Sequence, residues 1–315
     1  MGDRLIVTGV AGGLARHTAR MLQARGHDVL GVDYRPQPSD HPPSLPYVQA
    51  NYNKTRIEDA IRRHRPRVIL HLGRVGNLKM EVGKRFDLNV VGSGKIFELA
   101  LKYDVERVIV LSTFHIYGAH PENHTPIHED EPLRSGTDFP ELADAVQLDN
   151  LAVQWSYRHR QLRTVILRPC NVIGPNVQNA ISRYLREPIL ASILGFDPMW
   201  QFIHQTDMVN AIVAALGGDA IGVFNVAGTG AVPFKQALRL TGKTVVPIPA
   251  PVASGLLRLA GRFAPALPAY LVDFCKYPVV ISDDAFRRSF GYAPTIGIAE
   301  SIASTLTLPS LASAP

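Results

Sequence analysis

Cysteine is almost missing from this chain, with Cys170 and Cys275 the only two in 315 residues and no metal-ligand spacing between them. That excludes a disulfide framework and points to a reducing compartment, so the chain is read as cytoplasmic. Cys170, behind Arg168-Pro169 at the end of an apolar run, reads as a packed residue. Long apolar runs are missing too, and no stretch reaches the length that spans a bilayer. The apolar residues 5–15 are interrupted by glycines and lead straight into a helical pattern, unlike the core of a signal peptide. Dense Lys/Arg blocks with interleaved aromatics are also lacking. The formal charge is +6 and the pI about 9.4, but the charges are scattered. An anionic cofactor or phosphorylated substrate accounts for that excess, and nucleic acid is not an expected partner. The acidic run His128-Glu129-Asp130-Glu131 reads as a solvated loop, and no metal is expected.

What is present is an alternation. Short β-branched runs at 5–7, 29–32, 68–70, 108–111 and 164–167 are separated by amphipathic stretches at 14–24, 56–63, 90–103 and 148–158. Strands recurring with helices between them imply parallel crossovers, hence an α/β Rossmann-type doubly wound sheet. After Arg168-Pro169, prolines break the chain into short pieces. A smaller, irregular C-terminal substrate lobe is expected there, because ligands of open α/β sheets lie outside the carboxyl ends of the strands. The expected division is 1–170 with about 204–228 for the cofactor domain, and 171–203 with 229–315 for the lobe. Residues 252–263 carry Leu256, Leu257, Leu259 and Phe263 beside Arg258 and Arg262. They read as lobe core, or as a contact to a membrane surface or another subunit.

The run Thr8-Gly9-Val10-Ala11-Gly12-Gly13-Leu14-Ala15 follows the first strand and opens the first helix. A glycine after the strand permits the tight turn, a second lets backbone approach a pyrophosphate, and a small third residue lets helix pack on sheet. The helix N-terminus adds free N–H groups and the positive dipole end. Asp33 ends the next strand, where a carboxylate accepts from the adenosine ribose and repels a 2′-phosphate. NAD is therefore the expected cofactor, with Arg35 two residues on able to soften the preference.

From these residues onward the chain resembles the extended short-chain dehydrogenase/reductase family, the NAD-dependent epimerases and dehydratases, over nearly its whole length. Gly9, Gly12, Gly13, Leu14 and Ala15 match the family's TGxxGxxG turn, with Ala for the last Gly. Asn51, beside Tyr52, falls where the family usually places an Asp near the adenine. His71-Leu72-Gly73 is similar to the HLA strand end beside the cofactor, and Asn89-Val90-Val91-Gly92 to the NxxG start of a central helix. Ser112-Thr113-Phe114-His115-Ile116-Tyr117-Gly118 resembles the SS/ST…YG strand end. The match puts Thr113 in the place of the active-site Ser/Thr, with Phe114 beside the substrate. Arg168-Pro169-Cys170-Asn171 through Pro175 resembles RPxNvyGP, which places Asn171 at the nicotinamide end. Segments 201–207, 224–228 and 282–294 resemble later family stretches, and the family's pairing implies a homodimer through the helices at 90–103 and 148–158.

Two departures stand out. The family's YxxxK dyad is matched by a stretch with Leu142 near the Tyr place and Val146 near the Lys place, and no Tyr or Lys occurs between Gly118 and Trp155. Leucine moves no proton, so the standard mechanism is not expected. Trp200 stands where nucleotide-sugar enzymes often carry a diphosphate-gripping Arg, and is read as stacking on a ring or apolar chain of substrate, or as core. The remaining acid/base candidate is His115, whose imidazole ordinarily titrates near neutrality, with Asp144 and Glu141 within possible reach. Two functions follow. One is an NAD-dependent epimerase/dehydratase-like oxidoreductase on a sugar-like or other hydroxyl-bearing small molecule, using Thr113 and His115. The other is a catalytically silent, NAD-responsive binding or regulatory protein.

Overall fold

A computed structural model describes residues 2–76, 80–252 and 270–307. Along the first half run β1 (Arg4–Thr8), α1 (Gly13–Ala24), β2 (Asp28–Asp33), β3 (Tyr47–Gln49), α2 (Thr55–His64) and β4 (Val68–His71). Next come α3 (Val82–Phe86), a π-turn over Asp87–Val91, α4 (Gly92–Lys102), β5 (Arg107–Leu111), α5 (Ser135–Asp138), α6 (Ala143–Arg158) and β6 (Arg163–Pro169). The later elements are β7 (Asn171–Ile173), α7 (Ala180–Arg186), β8 (Ile189–Ile193), β9 (Met199–His204), α8 (Gln205–Gly217), β10 (Gly222–Val226), β11 (Ala231–Pro233), α9 (Phe234–Arg239) and β12 (Thr244–Ile248). The last are α10 (Leu271–Phe274), α11 (Asp284–Phe290) and α12 (Ile298–Leu306).

The central sheet has seven strands in the order β10-β6-β5-β4-β1-β2-β3, all parallel. Leu5, Ile6, Val7, Ile69, Leu70, Val108 and Ile109 are fully buried, as strands covered on both faces must be. In α1 the buried residues Ala15, Thr18, Ala19 and Leu22 recur at helical spacing and form the face against the sheet. The strand order reverses between β1 and β4, which opens a crevice at their carboxyl ends. Three short strands (β11-β9-β7) and a separate pair (β12-β8) make up the smaller sheets.

Two helices begin earlier than their apolar spacing predicts. The helix expected from 90 continues from α3 through the π-turn, whose extra residue resets the face so that Asn89 points inward; Asn89 is 1% exposed. Helix α6 starts at Ala143 rather than 148, after a 3-10 turn with Pro140 at its first position. Asp144 and Asp149 lie buried on its inner face, so the first turns look polar in sequence while packing inward. Strand β3 is short and half exposed, with too little apolar patterning to be found. Of the amphipathic segment 252–263, only Val252 falls among the described residues.

A polar network ties the left half of the sheet together. Arg168 forks onto both oxygens of Asp149, at 3.0 Å and 2.6 Å, and Ser112 donates to the same carboxylate. Its Nη1 reaches the Tyr117 hydroxyl and the Glu129 carbonyl, each at 2.8 Å, while Tyr117 donates to Asn225 at 2.7 Å. One buried guanidinium thus joins β5, α6, β6 and β10. Among the described residues no helix is long and apolar enough to cross a membrane.

Candidate functional site

The glycine turn sits at the crevice. Gly9 has φ +82°, and a Cβ there would stand 2.6 Å from the Gly73 Cα, so neither the dihedral nor the space admits a side chain. The Gly12 N–H donates to the Gly9 carbonyl at 2.8 Å, and Gly12 caps α1. A Cβ on Gly13 would lie 2.1 Å from the Asn176 carbonyl, in the loop that follows β7. The first turn of α1, including Leu14, carries no acidic residue to neutralise its dipole. Bare backbone, a helix start and an uncompensated dipole fit the pyrophosphate of a dinucleotide.

Asp33 is fully buried at the end of β2. Its Oδ2 accepts from the Ala11 N–H and from Arg35 Nη2, both at 3.0 Å, and its Oδ1 from the Arg35 N–H at 2.9 Å and Nε at 3.1 Å. Asp33 therefore braces the glycine turn and holds Arg35. Asn51 Oδ1 accepts from the Asn53 N–H at 3.3 Å, a local turn. Tyr52 is wholly buried with its ring edge-on to His71 at 5.4 Å, and burial raises its hydroxyl well above the usual range. Leu72 is buried beside it, and a Cβ on Gly73 would strike the Tyr52 hydroxyl.

A relay pins the β4 end. Ser93 Oγ donates to the Asn89 carbonyl, so it accepts from His71 Nε2 at 2.8 Å, which leaves Nδ1 to accept from Thr8 Oγ1 at 2.8 Å. Burial holds this imidazole down to about 4, consistent with the neutral form that the relay requires. Thr8 in turn accepts the Gly73 N–H, and the Asn89 amide takes both the N–H and the carbonyl of Val75, at 2.7 Å and 2.9 Å.

At the end of β5, Thr113 caps the 3-10 turn Phe114–Tyr117, and its Oγ1 lies 2.9 Å from His115 Nδ1. His115 Nε2 is buried without a hydrogen-bond partner among the described residues. A small, mostly apolar pocket of about 10 Å³, room for about one water, lies there, lined by Phe114, His115, Asn171, Trp200, Leu271 and Phe274 among others. The expected near-neutral imidazole does not hold: burial, and then the charge of Arg74, push His115 down to about 3. At neutral pH it is uncharged. Phe274 and Tyr270 stand over it, with ring centroids 5.0 Å and 5.7 Å away. Trp200 lines the pocket, but its ring stacks on Phe234 at 4.4 Å and its N–H reaches the Phe274 carbonyl at 2.9 Å. Asn171 Nδ2 is likewise spent on the Gln201 carbonyl at 3.0 Å.

The stretch matched to the dyad lies close by. Leu142 and Val146 are buried in apolar clusters. Between them Asp144 accepts from Arg85 Nε at 3.1 Å and from the Asn89 amide, while Arg85 Nη2 reaches the Glu141 carbonyl at 2.9 Å. Glu129 and Glu131 of the acidic run serve Asn225 and His124. Sequence reasoning missed Arg74, Arg85, Asn176, Tyr270 and Phe274. Only Arg74 carried a signal, since it follows His71-Leu72-Gly73 directly onto the ligand edge of the sheet.

A parallel sheet with a glycine turn at its switch point defines a dinucleotide-binding Rossmann-type protein. Residues 5–227 match the model of the NAD dependent epimerase/dehydratase family, and the chain belongs to that family, for which NAD is the cofactor. An uncharacterized protein of Mycobacterium tuberculosis is 28% identical over 255 residues, covering 79% of this chain and 67% of that protein. The Danio rerio short-chain dehydrogenase/reductase family 42E member 1 is 26% identical over 229 residues, covering 68% of this chain and 58% of its own. Among solved structures, MoeE5 in complex with UDP-glucuronic acid and NAD superposes with TM-score 0.77 at 20% identity, covering 97% of this chain and 98% of that one. A Thermus thermophilus UDP-glucose 4-epimerase complex with NAD gives 0.75 at 23%, covering 96% and 97%. At these identities the likeness is one of fold.

Proposed function

We propose that the protein is an epimerase/dehydratase-type oxidoreductase acting on a sugar-like or other hydroxyl-bearing small molecule, with Thr113 and His115 in place of a Tyr/Lys dyad. The observation that carries this reading is the 2.9 Å Thr113–His115 pair, with Nε2 unpartnered beside a pocket at the carboxyl end of β5. In this reading Gly9, Gly12, Gly13 and Leu14 hold the pyrophosphate of NAD, and Asp33 faces the ribose. Asn51, Tyr52, Leu72, Gly73, Asn89 and Asn171 shape the rest of the groove. NAD, when bound, accepts and returns a hydride. Thr113 Oγ1 orients the substrate hydroxyl and His115 Nε2 stands as the acceptor for its proton, a weak base because burial and Arg74 hold the imidazole down to about 3; the role requires the tautomer with the Nδ1 proton donated to Thr113. Phe114 and Trp200 exclude water. Residues 1–170 with about 204–228 form the cofactor domain, and 171–203 with 229–315 the substrate lobe. The protein works as a homodimer in a reducing, cytoplasmic setting, pairing through α3–α4 and α6, where Phe86, Val91 and Tyr157 are exposed.

The second reading, a silent NAD-responsive protein, is favoured by the aromatic cover that Tyr270 and Phe274 place over His115. Incubation with NAD and a panel of sugar nucleotides and simpler alcohols, followed by absorbance of reduced cofactor, separates the two. The oxidoreductase gives reduction that falls at least about a hundredfold in Thr113→Ala and in His115→Ala. Tight NAD binding with no reduction selects the silent protein, and full activity in both variants removes the pair from the site.

A further inference from the structure

We propose that a small phosphate-bearing molecule binds in a cleft at the amino-terminal edge of the central sheet, against a floor that includes Arg107. The site lies at the opposite end of the strands from the glycine turn and from Thr113.

The cleft measures about 350 Å³, within the range of small-molecule sites, whereas the pocket beside His115 holds about one water. The starts of β4, β5 and β6 line it through Val68, Arg107 and Arg163, and the end of α8 closes one side from Leu216 to Asp219. Arg107 and Arg163 are registered partners on neighbouring parallel strands, so their side chains leave the same face of the sheet. Like charges side by side are unfavourable unless a negative group lies near both.

The carboxylates of the cleft are committed to other cations. Arg67 takes Asp3 and Glu106, each at 2.8 Å, and Arg163 takes Asp219 at 2.7 Å. These pairs sit on the exposed rim, where an ion pair contributes little. Arg107 is only 5% exposed, and its Nη1 donates to the Ala215 and Leu216 carbonyls at 2.7 Å and 3.1 Å. Those carbonyls offer the partial charge of a helix end, about half an elementary charge. Its Nε and Nη2 make no hydrogen bond among the described residues, and they are not sealed from solvent. Among the described residues Arg107 makes no ion pair, and neither does Arg25, an exposed cation of the same cleft. No Asp or Glu occurs at positions 1, 77–79, 253–269 or 308–315 either.

A desolvated guanidinium without a counter-charge is costly, and an incoming anion offsets that cost. Burial, and then the charge of Arg163, hold the Arg107 guanidinium below its ordinary value, and the opposing pull of Asp219 and Glu106 does not restore it. The free side of the fork suits two oxygens on one phosphorus. A phosphate dianion has further oxygens for Arg25, and it recruits Arg67 and Arg163 from their weak rim pairs.

The test titrates inorganic phosphate and glucose 6-phosphate by calorimetry at constant ionic strength, with and without NAD. Wild type, Arg107→Gln and Arg25→Gln are compared, with melting temperature as the check on folding. The wild type is expected to bind at least one probe saturably, one per chain, whether or not NAD is present. Arg107→Gln should weaken that binding at least about tenfold, the scale of a hydrogen bond to a charged group. Arg25→Gln breaks no ion pair, so it should keep its melting temperature and weaken binding about threefold, the scale of an exposed ion pair. Tighter binding of glucose 6-phosphate than of phosphate identifies a phosphomonoester as the ligand, and the reverse identifies the free ion. No saturable binding of either probe overturns the proposal and leaves Arg107 as a cap on α8. Unchanged binding in either folded variant overturns it too, with Arg25→Gln deciding alone should Arg107→Gln not fold. Binding that NAD abolishes belongs to the glycine turn and overturns it as well.

Discussion

The guanidinium of Arg35 occupies the carboxylate of Asp33, with Nε 3.1 Å from Oδ1 and Nη2 3.0 Å from Oδ2. With the Ala11 and Arg35 backbone N–H groups, four donors fill the acceptor sites of one carboxylate. Ribose hydroxyls reach Asp33 only by displacing Arg35, which is partly exposed.

Cofactor discrimination follows from that competition. Asp33→Ala should weaken NAD by about ten- to a hundredfold, the scale of hydrogen bonds to a charged acceptor, and weaken NADP less. Arg35→Ala should leave NAD binding equal or tighter and weaken NADP. Calorimetric titration of both nucleotides checks this, and equal NAD losses in the two variants would refute the competition.

The Arg168–Asp149 pair should behave as structure. Both side chains are almost fully buried, so Asp149→Ala strands a cation and should cost about 3–5 kcal/mol in urea unfolding. Tyr117→Phe, which unpairs one contact each on Arg168 and Asn225, should cost about 1–3 kcal/mol. Near-neutral stability in Asp149→Ala would show that the network is dispensable.

Acid sensitivity should come from buried imidazoles. His71 and His115 titrate near 4 and 3 in the folded chain, below the unfolded value near 6.5. Between those values the unfolded chain binds more protons, so stability rises with pH there. Their contribution is complete above about pH 6.5 and is lost as pH falls toward 4 and 3. Unfolding midpoints from pH 4 to 8 test the sign, and His71→Gln should flatten the slope. A midpoint independent of pH over that range would contradict the burial argument.

Gly13→Ala should separate the two halves of the site. Its Cβ would meet the backbone of Asn176 rather than a flexible side chain, so the loop after β7 must move. A drop in melting temperature together with weaker NAD binding is expected. Wild-type values for both would show that the loop does not press on the glycine turn.

How much was legible depended on the range of the signal. The glycine turn, the buried parallel strands and Asp33 are local patterns, because a turn, a β-branched run and a strand end need only neighbouring residues. Thr113 and His115 were singled out two positions apart at one strand end, through the resemblance of that stretch to the family's strand end. Their environment was not local. The depressed imidazole of His115 depends on Arg74 from the β4 loop and on burial beside Tyr270 and Phe274, more than 150 residues further along the chain. Asp144 reads in the sequence as a residue within reach of the site, and the Arg85 that α3 brings against it and the Asn89 that the π-turn brings lie more than 50 residues away along the chain.

By itself the sequence determined a dinucleotide-binding sheet and its glycine cradle, since both rest on backbone geometry and short-range spacing. Which side chains carry charge, and which are free to meet a ligand, was decided by the tertiary structure. Packing spends Asp33 on Arg35, Asn171 on Gln201 and Asp144 on Arg85, and leaves Arg107 without an ion-pair partner among the described residues. Desolvation and pairing are set by distances across the fold, and spacing along the chain does not encode them.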